Sequence, residues 1–183
     1  MKVVVLTTSY PRHDGDVAGA FVRDAVHHLR AAGVDVRVVS PASFRHFGVA
    51  YGDGIVNNLR AAPWRLALLP LFFLSFARAA RREARGADLM HAHWLPSGLA
   101  GLAARKPLVI QLWGSDAALA RRLRPVVGPL LRRARAVVCA SSSLAAEATK
   151  LGARVVRVVP GGVAIPATVR EPDRPPHLLY VGR

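Results

Sequence analysis

The feature that most constrains this chain is the regular alternation of short β-branched runs with helix-patterned stretches. Val3–Thr8, Val34–Val39, Asp88–Ala92, Leu108–Leu112, Ala136–Ala140 and Val155–Val159 each read as a strand. The first run is continuous and apolar, as expected of a strand covered on both faces. Between the first two strands, Val22, Ala25, Val26 and Leu29 recur at helical spacing, and Gly33 supplies a stop. Residues 42–62, with Gly48, Gly52 and Gly54, read as irregular. Trp64–Arg85 predicts one long helix kinked at Pro70, apolar in its first half and basic in its second. Further helices are expected over 97–105, over 117–135 with a break near Gly128 and Pro129, and over 142–151. Six strands separated by helices imply βαβ units, hence an α/β fold with a doubly wound, mostly parallel sheet flanked by helices.

From Pro160 the texture changes. PGGVAIPATVREPDRPP holds five prolines in 17 residues and reads as a linker over 160–176. HLLYVGR at 177–183 then reads as the first strand of a further domain, leaving 1–159 as the folded unit. With 183 residues, 52% of them apolar and 20% charged, the chain has enough material for a real core. A single cysteine, Cys139, excludes an internal disulfide and suggests a reducing compartment. The opening MKVVVLTTSY lacks signal-peptide features, and the longest apolar run, 66–77, is 12 residues with a proline inside. A spanning helix needs about 20 residues, so the expectation is a cytoplasmic protein.

In an open parallel sheet, ligands bind beyond the carboxyl ends of the strands. Four polar clusters belong there: the loop 8–20, HAHW at 91–94, WGSD at 113–116 and ASSS at 140–143. The first loop is neither a dinucleotide fingerprint nor a P-loop, although Asp16 and Gly19 lie where it opens a helix. Gly19 is either part of an anion cradle or a turn glycine. His91 and His93 share one face of a strand, but no third metal ligand accompanies them, and His93 is nearer the strand's end. Asp116 is either a helix cap or a site carboxylate. Cys139, inside a strand, reads as inert. The serines lack a nucleophile elbow, and Ser142 reads as a helix cap.

In order and spacing, AGAFVRDAVHHLRAAGVDVRVVSP, DLMHAHW, VIQLWGSD, VVCASSSLAAEATKLGA, VRVVPGGV and LLYVGR together resemble the N-terminal half of glycosyltransferase family 4, enzymes of the GT-B fold. The resemblance implies a retaining transfer of a hexose-type sugar from a nucleotide-sugar to a glycan or lipid-linked acceptor. It implies no metal and no cofactor, the nucleotide-sugar being a co-substrate gripped mainly by a C-terminal domain. His93 and Asp116 would be catalytic, and Asp16, Gly19, Trp113, Gly114, Ser115 and Ser142 would contact substrate. Two departures stand out. Ala18 replaces the first glycine of the family's usual pair, and Trp113 stands where many relatives carry a catalytic histidine. An indole offers an N–H and a flat face but no base. On this reading the 183-residue chain alone is inactive.

Charge adds a hint about partners. The formal balance is +15, from 26 Lys+Arg against 11 Asp+Glu, which favours anionic partners. Six arginines and no acid lie between Asp116 and Glu147, and six more against Glu83 alone lie within 60–85. Such basic, amphipathic helices suit an anionic membrane surface, peripheral on its inner face, and equally suit a solvated face of an arginine-rich chain. Nucleic acid is not expected, because no recognition motif or aromatic–basic stacking pattern is present. The reading opposed to an enzyme is a non-catalytic Rossmann-like module that binds a phosphorylated ligand.

Overall fold

The computed structural model describes residues 1–51 and 54–162, apart from the side chains of 117 and 118. The expected linker from residue 163 onward and the strand over 177–183 lie outside the described residues. Within them, β1 (Lys2–Leu6), β2 (Asp35–Val39), β3 (Leu89–His93), β4 (Leu108–Leu112), β5 (Ala136–Cys139) and β6 (Val156–Val158) form one sheet in the order β2-β1-β3-β4-β5-β6. Every pairing is parallel, with Val5 opposite His91, Ala92 opposite Ile110 and Leu112 opposite Cys139. The strand order reverses between β1 and β3, so a crevice opens there at the carboxyl edge.

Alternation along β1 explains the two layers. Val4 and Leu6 point into the larger core, with Ile110, Leu130, Phe72 and Phe76, while Val3 and Val5 point into a smaller one. The smaller core is closed by α1 (Ala20–Ala31) through Val22 and Val26, the helical stripe visible in the sequence. Gly33, at φ 79°, ends that helix in the left-handed region where a glycine is unstrained.

The remaining helices differ from expectation at their breakpoints. Residues 42–62 are not wholly irregular, since α2 (Ile55–Ala61) forms there. The long helix is not kinked at Pro70. A 3-10 turn over Pro63–Leu68 leads into α3 (Leu69–Glu83), and Pro70 sits in the first turn, where no N–H is missed. Proline likewise opens α4 (Leu95–Gly101), which begins earlier than expected. The 117–135 region divides at Leu123, not at Gly128–Pro129, into α5 (Gly114–Arg122) and α6 (Arg124–Arg133). Pro125 marks the start of α6, while Pro129 is carried inside it. The last helix, α7 (Ser142–Lys150), falls close to its expected span.

The aromatic knot of α3 anchors the larger core. Phe76 is fully buried, stacks on Phe44 with centroids 4.3 Å apart, and meets Phe72 edge-on. Phe76→Ala is expected to destabilise the fold by about 3–5 kcal/mol through lost burial and a residual cavity. Urea unfolding of the variant checks this. A loss below about 1 kcal/mol would mean that the neighbouring rings collapse into the space.

Candidate functional site

The carboxyl edge is assembled from three loops. The first, after β1, begins as the chain leaves the sheet at Thr7, whose hydroxyl donates to the Ser9 carbonyl at 2.7 Å. Asp16 then folds the loop on itself. One of its oxygens accepts from the Arg12 N–H at 3.2 Å and the Arg12 guanidinium at 2.8 Å, and the other accepts from the Ala18 N–H at 3.0 Å. The Arg12 bond, followed by those two N–H bonds, holds this carboxyl well below the usual range. Gly19 closes the loop in a left-handed conformation, φ 70°, at the start of α1. A Cβ there would strike the Ser9 carbonyl and come within 2.9 Å of the Tyr10 nitrogen. The glycine is therefore required by the loop's own backbone, which favours the turn reading.

The second loop carries β3 into α4. His91 and His93 do face one side, their rings 4.7 Å apart. His93 is 1% exposed, and burial, followed by the neighbouring His91, pushes it down to about 3, so it is neutral at physiological pH. Trp94, the next residue, adopts φ 67° and ψ 156°, a strained conformation for a side-chain-bearing residue.

The third loop carries β4 into α5. Trp113 precedes the helix and Asp116 sits in its first turn, 3% exposed. One carboxylate oxygen accepts from the Trp113 N–H at 2.8 Å, the other from the Leu95 N–H at 2.9 Å. Asp116 thus does more than cap its own helix, because it pins the start of α4 to the start of α5. Burial outweighs these two N–H bonds and raises its pKa to about 6. Gly114 is the exposed first residue of α5, and a Cβ would meet open space. Ser115 beside it is exposed too.

Aromatic rings tie the three loops together. Phe21, 43% exposed on α1, meets Trp113 at 4.4 Å and Trp94 at 5.5 Å, both edge-on. Trp113 in turn lies nearly parallel to His93 at 6.0 Å. The indole nitrogen of Trp113 and Nδ1 of His93 are buried without a hydrogen-bond partner among the described residues. Such groups cost about 1–3 kcal/mol each, and together with strained Trp94 they make this junction the candidate site. Phe21 and Trp94 were not singled out from sequence. Phe21 had a signal, since it is an aromatic lying off the buried stripe of its helix.

Beyond β4 and β5 a cleft of about 430 Å³ is lined by Gly114, Arg121, Ser141, Ser143 and Glu147. Ser141, not Ser142, caps α7, accepting from the Leu144 N–H at 3.3 Å. Ser142 is the exposed first residue of that helix. The starts of α5 and α7 both border this cleft, and Arg121 and Glu147 bring one charge of each sign to it. Cys139 lies beneath, fully buried, its thiol pushed up by burial and then by the Asp116 charge.

Comparison with known proteins agrees with this architecture. The profile described as Glycosyltransferase Family 4 matches residues 18–165. No curated protein sequence matches. Among solved structures, one described as sucrose-phosphate synthase from Thermosynechococcus elongatus superposes with a TM-score of 0.60 at 16% identity, covering 88% of this chain and 90% of that one. At that identity the likeness speaks for the fold alone.

Two outcomes follow from the rim geometry. The folded pKa of Asp116, about 6, exceeds its ordinary 3.8, so unfolding releases a proton. Its stabilising contribution is full below about pH 4 and is lost as pH rises through 6. The stability difference between the wild type and Asp116→Asn, read by urea unfolding across that range, should shrink as pH rises. A difference that grows with pH would mean that the two N–H bonds outweigh burial. Gly19→Ala should destabilise by more than about 1 kcal/mol, lowering Tm by at least about 2–4 °C. An unchanged Tm would show that the loop yields freely.

Proposed function

Because the chain belongs to glycosyltransferase family 4, we propose that it forms the acceptor side of a retaining, nucleotide-sugar-dependent enzyme. That enzyme transfers a hexose-type sugar to a glycan or lipid-linked acceptor, with the nucleotide-sugar as co-substrate and no metal. The observation that carries this reading is the shared rim. The Gly19 loop, the Trp113 turn and the Ser141–Ser143 turn all open at one edge of one parallel sheet, where α/β sheets bind ligands. A nucleotide-sugar donor held by a C-terminal domain would present its diphosphate toward the free N–H groups at the starts of α5 and α7 and toward Arg121. Trp113 supplies the flat face on which a sugar ring stacks, and Ser115 and Ser142 supply hydroxyls at the exposed lip.

His93 and Asp116 fit this scheme as positioning residues. Both are buried below the aromatic layer, and neutral His93 supports the Trp113 ring from beneath. Asp116 fixes the two backbone turns that aim it. The same reasoning gives Asp16 and Gly19 a share in substrate binding through the shape of their loop rather than through direct contact. The helix starts that border the cleft also suit the opposing reading, a module that binds a phosphorylated ligand without chemistry.

Assaying the complete gene product against a panel of nucleotide-sugars, with and without lipid acceptors, separates the two. Release of nucleoside diphosphate with acceptor modification, and an unchanged anomeric configuration by NMR, supports the transferase. Phosphate-ligand binding without turnover on any donor supports the module. Trp113→Ala should lower kcat/KM about tenfold, since one stacking contact is worth roughly 0.5–1.5 kcal/mol beyond area. Trp113→Phe, which keeps a ring, should lose only a few-fold. Residues 1–183 alone should show no transfer, and measurable transfer by them would overturn this division of labour.

A further inference from the structure

At the β2 end of the carboxyl edge, the loop after β1 meets the loop after β2. The Arg12 guanidinium lies over the Tyr51 ring, 5.3 Å from its centroid. Because β1 and β2 are neighbours in a parallel sheet, this contact sits beyond the carboxyl ends of both. Neither residue belongs to the junction of Phe21, Trp94 and Trp113, nor to the cleft beyond β4 and β5. Tyr51 is held there against its own backbone preference. It adopts φ 74°, and Phe47, four residues earlier, adopts φ 52°. For bulky side chains the left-handed region is costly and persists only where the surroundings impose it. Here they do. Val49 and Ala50 are buried in the larger core, and the Asn58 amide donates to the Tyr51 and Val49 carbonyls at 2.6 and 3.1 Å. Arg65 donates to the Gly48 carbonyl at 3.1 Å.

Arg12 is fixed as firmly, because its Nε donates to Asp16 while its guanidinium rests on the ring. That leaves Nη1 and Nη2 without a hydrogen bond among the described residues, on a side chain 51% exposed. Asp16 is otherwise taken up by the Arg12 and Ala18 N–H groups. His46 meets the Tyr51 ring edge-on at 5.4 Å. Its Nδ1 accepts from the Gly48 N–H at 3.2 Å, so the neutral ring carries its proton on Nε2. Residues 36–51 hold two arginines and this histidine but no acid. A planar fork with both outer nitrogens unused is suited to a carboxylate or phosphate, which it binds two oxygens at a time. Bracing the two loops would need no cation, since an aliphatic side chain at position 12 would also pack on the ring.

We propose that Arg12, with Tyr51 and His46 beside it, forms a subsite for an anionic group, a carboxylate or a phosphate, carried by the acceptor glycan. The arginine fork takes two oxygens of that group, and His46 contributes a further N–H donor beside the ring. Tyr51 and Asp16 are positioning residues that keep the fork from swinging into solvent, which reduces the ordering cost of binding. One loop connects this subsite to the aromatic junction, since the chain runs from Arg12 to Phe21, which meets Trp113. The acceptor is then selected by charge at the β2 end of the edge and by its apolar face at Trp113. That the ligand is an acceptor rests on the sugar-transfer reading, whereas the binding test involves no transfer.

The test is calorimetric titration of the full chain with glucuronate, glucose 6-phosphate and glucose, which share a ring and differ in charge. At least one charged sugar should bind about tenfold or more tighter than glucose, weakening as salt rises. Preference for glucuronate identifies a carboxylate partner, preference for glucose 6-phosphate a phosphate, and either supports the subsite. Arg12→Gln should bring the charged sugars down to the affinity of glucose. Arg12→Lys keeps the charge but not the fork and should recover only part of that loss. Tyr51→Leu leaves the guanidinium and its Asp16 bond in place and should weaken charged-sugar binding a few-fold. Circular dichroism checks folding, and if Arg12→Gln does not fold, the lysine and leucine variants carry the test. Three results would overturn the proposal: equal binding of all three sugars, charged-sugar binding unchanged by these substitutions, or no binding of either charged sugar at about 10 mM. Absence of transfer by the complete gene product would sink the sugar-transfer reading while leaving the anion subsite standing, and loss of charge discrimination would do the reverse.

Discussion

One carboxylate organises the carboxyl edge. Asp116 accepts from backbone groups on two different loops, Leu95 and Trp113, 21 and three residues away. Backbone N–H groups at helix starts have no partner within their own helix, so two helices that begin side by side need a shared acceptor. Supplying it from a nearly water-free position makes each bond strong, and makes the charge itself expensive to hold. That tension is why the group's proton affinity is raised. It is also why the two strand ends are locked together rather than merely adjacent.

Everything aromatic at the rim rests on that lock. Trp113 and Trp94 leave their strands next to the two bonds, and Phe21 reaches across from α1 to close against both. The rings form a lid of large apolar faces over neutral His93. Sugars present alternating apolar faces and hydroxyl edges. A surface made of indole beside exposed serines has matching character, which the fold alone would not confer.

Much of the fold was legible because buried parallel strands are written as continuous apolar runs, and amphipathic helices as a 3.6-residue stripe. The spans of β4 and β2 and the stripe of α1 needed little else. The errors arose where proline has two opposite meanings. Pro70 and Pro125 start helices, and only the register of neighbouring hydrogen bonds distinguishes that from a kink. The rim was legible as a set of strand ends but not as an arrangement. For Asp116 the sequence left a helix cap and a site carboxylate both open, and its second partner, Leu95, is too distant in sequence to be read. Gly19 could be an anion cradle or a turn glycine, because nothing in the string shows Ser9 pressed against it. Ser142 read as the cap, but the capping bond belongs to its neighbour Ser141.

The strand order has a consequence for how the chain is born. The central strand β1 pairs with β2 early, but its other neighbour, β3, lies 86 residues further along, as Val3 opposite Leu89 shows. At synthesis rates of about 5–20 residues per second, several seconds pass before that neighbour leaves the ribosome. Throughout that interval the apolar edge of Val3–Leu6 is available to any other nascent or misfolded strand. The exposure ends only when the second half of the sheet arrives.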